Sequence, residues 1–200
     1  MNQPLLTKCP QRTSVIGTSG SGKTTLAQRL AQRLDISHIE LDALHWNPNW
    51  TPTPRETFRE RVARALQGET WTTDGNYSVV RDIVWKRADT VVWLDYPLPI
   101  IMWRVTWRTI RRAISRKELW SGNQENLQMA FFDRESIIWF ALRTYHRRRK
   151  EYPRLFSKPE HRHLNVVHLQ SPQATHKWLE SIPITNESKD ESGMTSSEPV

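Results

Sequence analysis

Apolar positions along this chain fall into two rhythms. Short runs rich in β-branched or aromatic residues, at 13–16 (TSVI), 37–41 (SHIEL), 70–74 (TWTTD), 90–95 (TVVWLD) and 165–169 (NVVHL), predict strands. Between them the apolar residues recur at helical spacing. Leu26, Leu30 and Leu34 mark a helix after Lys23, and a second covers about 55–66 until Gly68 stops it. Further helices are expected over 78–88, from Pro99 onward, over about 134–150 and over 172–181. In the helix after Pro99, Ile100, Trp103, Trp107, Ile110 and Ile114 form one apolar stripe. Arg104, Arg108, Arg112 and Arg116 form another face of it. Strands alternating with helices predict an α/β domain: a mostly parallel sheet of about five strands between helical layers.

Two segments escape both rhythms. Residues 43–54 (ALHWNPNWTPTP) carry Pro48, Pro52 and Pro54 and read as a loop. Residues from about 116 to 133 (RKELWSGNQENLQ and its flanks) read as a lid between two basic helices. The expected organisation is a flexible N-terminus at 1–12, one domain at 13–182 and a tail at 183–200. That tail is acidic, Ser-rich and poor in large apolar residues, which predicts disorder.

Charge narrows the range of partners. The formal net charge is +8 and the pI about 10.0, so an anionic ligand is expected. Arg and Lys concentrate between Arg104 and Arg162. Cys9 stands alone, which removes an internal disulfide and favours a reducing, cytoplasmic setting. No apolar run reaches the roughly 20 residues a bilayer requires, and MNQPLLTKCPQRT lacks the apolar core of a signal peptide. Scattered His and one Cys give no zinc spacing.

The most specific chemistry lies in Gly17-Thr18-Ser19-Gly20-Ser21-Gly22-Lys23-Thr24, followed by Thr25, which fits G-x-x-x-x-G-K-[ST] at every fixed position. Glycines let a loop turn its N–H groups onto phosphate oxygens. The helix that follows adds its own unpaired N–H groups and its positive end. In this frame Lys23 supplies charge to the outer phosphates and the Thr24 hydroxyl is a Mg²⁺ ligand. A strand before the loop and an amphipathic helix after it make a chance Gly/Ser turn the weaker reading. Binding of a nucleoside triphosphate follows, ATP or GTP. Asp42, Asp74 and Asp95 all stand at predicted strand ends, where ligands of open parallel sheets collect. Position alone does not choose among them for the metal.

The order of GTSGSGKTT, ELD near residue 41, TTDGNY near 75 and ADTVVWLDYP resembles the adenylate-kinase-like P-loop kinases. Closer still is the resemblance to small bacterial adenylate-kinase-related, or "DNA topology modulation", proteins. It is carried by Leu41-Asp42-Ala43-Leu44-His45-Trp46-Asn47-Pro48-Asn49-Trp50, by Asp74-Gly75-Asn76-Tyr77 and by Glu118-Leu119-Trp120-Ser121-Gly122-Asn123. It covers about residues 13–181. The resemblance implies a P-loop NTPase fold with a basic helical lid, and Asp74 as the Mg²⁺-associated carboxylate beside Thr24. It also makes Asp42 similar to the acid that shikimate and gluconate kinases set near the acceptor hydroxyl. Adenylate kinases follow Asp-Gly with Phe-Pro-Arg, whereas Asn76, Tyr77 and Ser78 stand here. The arginine that would grip a monophosphate is missing from that place.

The expected activity is transfer of the γ-phosphoryl group of ATP, with Mg²⁺, to a nucleotide, nucleoside or other hydroxylated metabolite. Lys23, Asp42, Arg108 and Arg112 are the expected catalytic residues, the arginines being those nearest the lid. Asp42, His45, Trp46, Asn76 and Tyr77 are expected to line the acceptor site, while Trp50 packs. Arg134 is a weaker candidate. Asp95 is read as structural, a cap for the next helix, and Arg147–Lys150 as a surface patch. The rival reading is a nucleotide-gated nucleic-acid-binding protein gripping phosphates with the basic segment, but no nucleic-acid motif supports it.

Overall fold

In a computed structural model, residues 9–115, 120–122 and 137–184 are described, with side chains except at 112–115, 120 and 137–141. The predicted α/β architecture is present. Strands β1 (Arg12–Gly17), β2 (Ser37–Glu40), β5 (Trp71–Asp74), β6 (Thr90–Leu94) and β7 (Asn165–Leu169) form one five-stranded sheet. Its order is β2-β5-β1-β6-β7, and each neighbouring pair is parallel. Parallel neighbours require crossover connections. Helices α1 (Lys23–Leu34), α3 (Arg55–Ala65), α4 (Arg81–Arg87), α5 (Leu98–Ser115) and α6 (Ile137–Phe156) lie between the strands in sequence, and α7 (Pro172–Glu180) follows the last strand.

Both faces of β6 are covered, so it reads as a continuous apolar run, TVVWL, whereas the edge strands β2 and β7 are partly exposed. Alternate residues divide between two cores. Val15, Val92, Leu94 and Val167 join Leu30 of α1, Ile101 and Val105 of α5 and Trp178 of α7. Ile16, Val91 and Trp93 join Phe58 and Val62 of α3 and Trp85 of α4. Helix α6 gives Tyr145 to the first core and Tyr152 to the second. At the carboxyl ends of the strands it bonds to Gly17, the last residue of β1, and to Asn76 and Asp95, which follow β5 and β6.

Several details depart from the periodicity reading. The stretch after β2 is not a plain loop. It forms a short helix α2 (Leu41–His45) and a small antiparallel ladder of β3 (Trp46–Asn47) with β4 (Thr51–Pro52). Helix α6 continues past residue 150 through Pro153 to Phe156. The buried stripe of α5 is a different one from that predicted: Ile101, Val105 and Thr109 are buried, whereas Trp103 and Trp107 are 70% and 58% exposed. The two indole rings stack on each other outside, with centroids 6.1 Å apart. Gly20 decides which face turns inward. A Cβ there would lie 2.3 Å from Val105 Cγ2 and 3.0 Å from the Ile101 carbonyl, so the glycine loop packs directly on this side of the helix.

Residues 116–119, 123–136 and 185–200 lie outside the described residues, and with them Arg116, Arg134, most of the expected lid and most of the expected tail. Among the described residues no helix is long and apolar enough to cross a membrane.

Candidate active site

The predicted phosphate-loop residues run from Gly17, the last residue of β1, through the turn at 18–22 to Lys23, Thr24 and Thr25 in the first turn of α1. Gly22 caps α1 in the left-handed region (φ 93°), so the helix starts at Lys23 as the motif requires. Ser21 N–H donates to the Thr18 carbonyl (3.0 Å), closing the turn. The Lys23 ammonium lies near the Thr18 carbonyl (3.5 Å). Its pKa is pulled down to about 8, first by burial and then by Arg148, while Asp74 and Asp42 pull the other way. Lys23 thus feels both carboxylates. Thr25, at the outer edge, is exposed.

The loop is anchored by side chains distant in sequence. Asn76 Oδ1 accepts from the Gly17 N–H (3.1 Å), and Asn76 Nδ2 donates to the Gly17 carbonyl (2.5 Å). Tyr152 O–H donates to the same Oδ1 (3.0 Å), and Arg148 Nη1 donates to the Gly17 carbonyl (3.3 Å). Arg104 Nη1 donates to the Ser21 carbonyl (3.3 Å) and lies over the Tyr96 ring. Two expectations change here. Asn76 turns its amide to Gly17, so it holds the donor loop instead of lining the acceptor site. Arg148 is buried (7% exposed), so the 147–150 run is not simply a surface patch. Sequence reasoning missed Arg148, Tyr152 and Arg104, whose helical spacing gives no sign of a partner more than 70 residues away.

Asp74 closes β5 at the side of Thr24. In the parallel register, residues 72 and 74 face α1: Thr72 Oγ1 donates to the Ala27 carbonyl (3.0 Å), and Thr24 Oγ1 donates to Asp74 Oδ2 (2.6 Å). Asp74 is 2% exposed. Its other oxygen, Oδ1, meets His38 Nε2 at 2.8 Å. Thr24 and Asp74 are two adjacent hard oxygen donors at the mouth of a phosphate loop. Mg²⁺ takes one or two such protein oxygens and completes its shell with phosphate and water, so the residues fit that ion. Among the described residues no cluster of three or more His, Cys, Asp or Glu forms a metal cage.

Asp42 does not end a strand; it occupies the first turn of α2. Gly75 brings it to the site. With φ at 144° and Leu41 Cβ only 2.9 Å from where its own Cβ would be, Gly75 lets the turn after Asp74 press against α2. Tyr77 O–H then donates to Asp42 Oδ1 (2.6 Å). Burial, and then the Asp42 carboxylate, push the Tyr77 phenol up, while the Trp46 indole pulls it the other way. His45 packs on Trp46, Phe58 and Tyr77 at 4.6–4.8 Å between ring centroids, and burial lowers its pKa. Its Nδ1 is buried without a hydrogen-bond partner. Trp46 stands edge-on to Trp50. Ser121 Oγ donates to the Trp46 carbonyl (2.9 Å), so one short piece of the expected lid touches the acceptor side.

The arginine expectations divide. Arg108 is close enough to Lys23 to lower its pKa, by less than burial and Arg148 do. The Arg112 side chain lies outside the described residues. The Asp95 carboxylate, read as a cap for the next helix, instead pairs with Arg149 (2.8 Å) and His168 (3.0 Å).

A glycine loop between a central parallel strand and a helix, with a threonine–aspartate pair at its mouth, directs the comparison to nucleotide-binding domains. The family model AAA_33, described as an AAA domain, matches residues 13–180. The chain belongs to this family. Its fold also resembles solved P-loop kinases. A shikimate kinase from Acinetobacter baumannii, in complex with shikimate, aligns at TM-score 0.50 and 17% identity, over 93% of this chain and 97% of the other. A sugar kinase from Janibacter sp. HTCC2649, unliganded, aligns at TM-score 0.48 and 21% identity, over 88% and 96%. These likenesses concern the fold. No curated protein matches the sequence.

Proposed function

We propose that this AAA-domain protein is a phosphotransferase that moves the γ-phosphoryl group of ATP to a hydroxyl of a small molecule. One observation carries the reading. Lys23 stands in the field of two carboxylates with different attachments, Asp74 joined to Thr24 and Asp42 joined to Tyr77. A nucleotide switch needs only the first. A second carboxylate, held from the opposite side by a phenol, suits an acceptor.

In this reading the loop N–H groups, Lys23 and Arg108 hold the phosphates and offset charge that spreads over the transferring oxygens. Thr24 and Asp74 would hold Mg²⁺, which supplies Lewis-acid neutralisation of the β- and γ-phosphates. Asp42 takes the acceptor proton. As the acceptor oxygen bonds to the γ-phosphorus, the bond from that phosphorus to the bridging oxygen breaks, and ADP leaves with the electron pair. Tyr77 fixes the Asp42 carboxylate by bonding one oxygen, leaving the other for the substrate. Trp46 and Tyr77 offer ring faces for a base or a sugar. The finer resemblance to adenylate-kinase-related proteins rests on LDALHWNPNW and DGNY, and Asp42 and Tyr77 fall within those blocks. Arg148 is buried and Arg104 donates to the Ser21 carbonyl, which takes charge away from the nucleic-acid alternative.

The test is ADP release from Mg²⁺-ATP against nucleosides, nucleotides and hydroxylated metabolites, with Lys23→Ala and Asp42→Asn beside wild type. Acceptor-dependent release by wild type is expected. Lys23→Ala loses about 10³-fold or more, and Asp42→Asn loses about 10²–10⁴-fold while still binding ATP. Full turnover in Lys23→Ala would overturn the reading.

A further inference from the structure

His38 lies in β2, outside every motif that pointed to the site, yet it touches the metal-facing carboxylate. We propose that His38 is a positioning residue for Mg²⁺: by engaging one Asp74 oxygen it fixes the plane of the carboxylate and keeps the other oxygen facing Thr24. The inference rests on the proposed role of Asp74 and Thr24 at the metal.

The placement follows from the register. His38 pairs with Thr72 across the parallel ladder, and Glu40 with Asp74. Side chains two residues apart in a strand share a face, so His38, Thr72 and Asp74 all point toward α1. Each has a defined partner there or beside it: Thr72 bonds the Ala27 carbonyl, Asp74 bonds Thr24, and His38 bonds Asp74. The His38 side chain is 15% exposed and that of Asp74 3%, so the contact at 2.8 Å is shielded from competing water. A carboxylate joined to its helix by one oxygen alone still rotates about its Cβ–Cγ bond. With Nε2 on Oδ1 and the threonine hydroxyl on Oδ2, both oxygens are assigned and the plane of the carboxylate is fixed. Partners that orient ligating carboxylates in this way commonly contribute about 10–100-fold to metal affinity.

Sheet packing alone would also place a histidine near this edge, so the experiment must separate the two roles. Full-length wild type, His38→Ala and His38→Gln are titrated with a fluorescent ATP analogue at a series of Mg²⁺ concentrations, and again in EDTA. A Gln amide reaches about as far as Nε2 and donates the same bond. For His38→Ala, the Mg²⁺ needed for half-maximal tightening of nucleotide binding should rise about tenfold or more, with affinity in EDTA unchanged. His38→Gln should recover most of the difference. Equal Mg²⁺ dependence in all three proteins overturns the proposal. So does an equal loss in EDTA and in Mg²⁺, which marks a packing role. Wild type that binds the analogue without any response to Mg²⁺ overturns the metal assignment of Thr24 and Asp74 itself.

Discussion

Gly17 and Asp42 mark the two halves of the site, and they are held by unlike means. The Gly17 N–H and C=O are both taken by Asn76, with Arg148 and Tyr152 joining from α6. Asp42 has one strong bond, from Tyr77, within a half-buried group of rings on short elements. The donor half is a backbone shape clamped from several sides. The acceptor half is a set of side chains whose positions depend on ring packing. This division matches what the proposed reaction asks of each half. Triphosphate is the same for every reaction and rewards a rigid cradle, whereas an acceptor site is adjusted by exchanging side chains on loops.

The sharpest way to break the comparison is to remove one support from each half. Asn76→Ala takes the partner from the buried Gly17 N–H, while Arg148 still donates to the Gly17 carbonyl, a loss of about 1–3 kcal/mol in stability for one unsatisfied group. Nucleotide affinity should fall at least about tenfold through the misplaced loop, while the KM for the acceptor stays near that of wild type. Tyr77→Phe should do the reverse: unchanged nucleotide affinity, with kcat or acceptor KM altered by about tenfold. Calorimetric unfolding and separate nucleotide and acceptor titrations read both. An acceptor KM that rises in Asn76→Ala with nucleotide binding intact would return Asn76 to the acceptor site.

How far the sequence exposed each half follows from the same contrast. Phosphate cradling depends on residue types at fixed local spacing, so Gly17 to Thr24 were readable without any tertiary information. The five strands were readable too, most plainly β6, which is buried on both faces and leaves an uninterrupted apolar run, TVVWL. Asn76 was misassigned because its partner lies 59 residues away, and no local pattern distinguishes an amide that clamps a loop from one that meets a ligand. Arg148 sits in a run of cations whose helical turn alone decides which one is buried. Asp42 was read at the end of a strand and the residues after it as loop, since α2 is only five residues long and too short to show a period.

A smaller effect sharpens the electrostatic side. In the nucleotide-free protein Lys23 titrates at about 8 instead of 10.5, because burial and Arg148 disfavour its charge. Phosphate needs the charged form and restores it on binding. Between pH 7 and pH 9 the free protein passes from mostly ammonium to mostly amine, so binding must supply a proton above pH 8. Nucleotide affinity should therefore weaken about tenfold from pH 7 to pH 9, after correction for Lys23→Met, which should show no such step. A wild-type profile parallel to that of Lys23→Met would mean that Lys23 remains charged throughout.

The comparison furthest from the chemistry concerns α5, where two apolar stripes compete at the same period. Ile100, Trp103 and Trp107 have more apolar surface, yet Ile101 and Val105 are the ones buried, at 1% and 0% exposure. Hydrophobicity along the helix does not decide the matter. The glycine loop does, because Gly20 admits a branched side chain and a helix carbonyl at distances that an indole ring could not share. Ile101→Ala should thus cost about 2–5 kcal/mol, the range for a large side chain truncated in a packed core. Trp103→Ser should change stability by about 1 kcal/mol or less, the worth of an exposed ring pair, and leave nucleotide affinity unaltered. Denaturant unfolding of the two variants reads the difference directly. A Trp103→Ser loss as large as that of Ile101→Ala would turn the helix over and remove the backing here assigned to the phosphate loop.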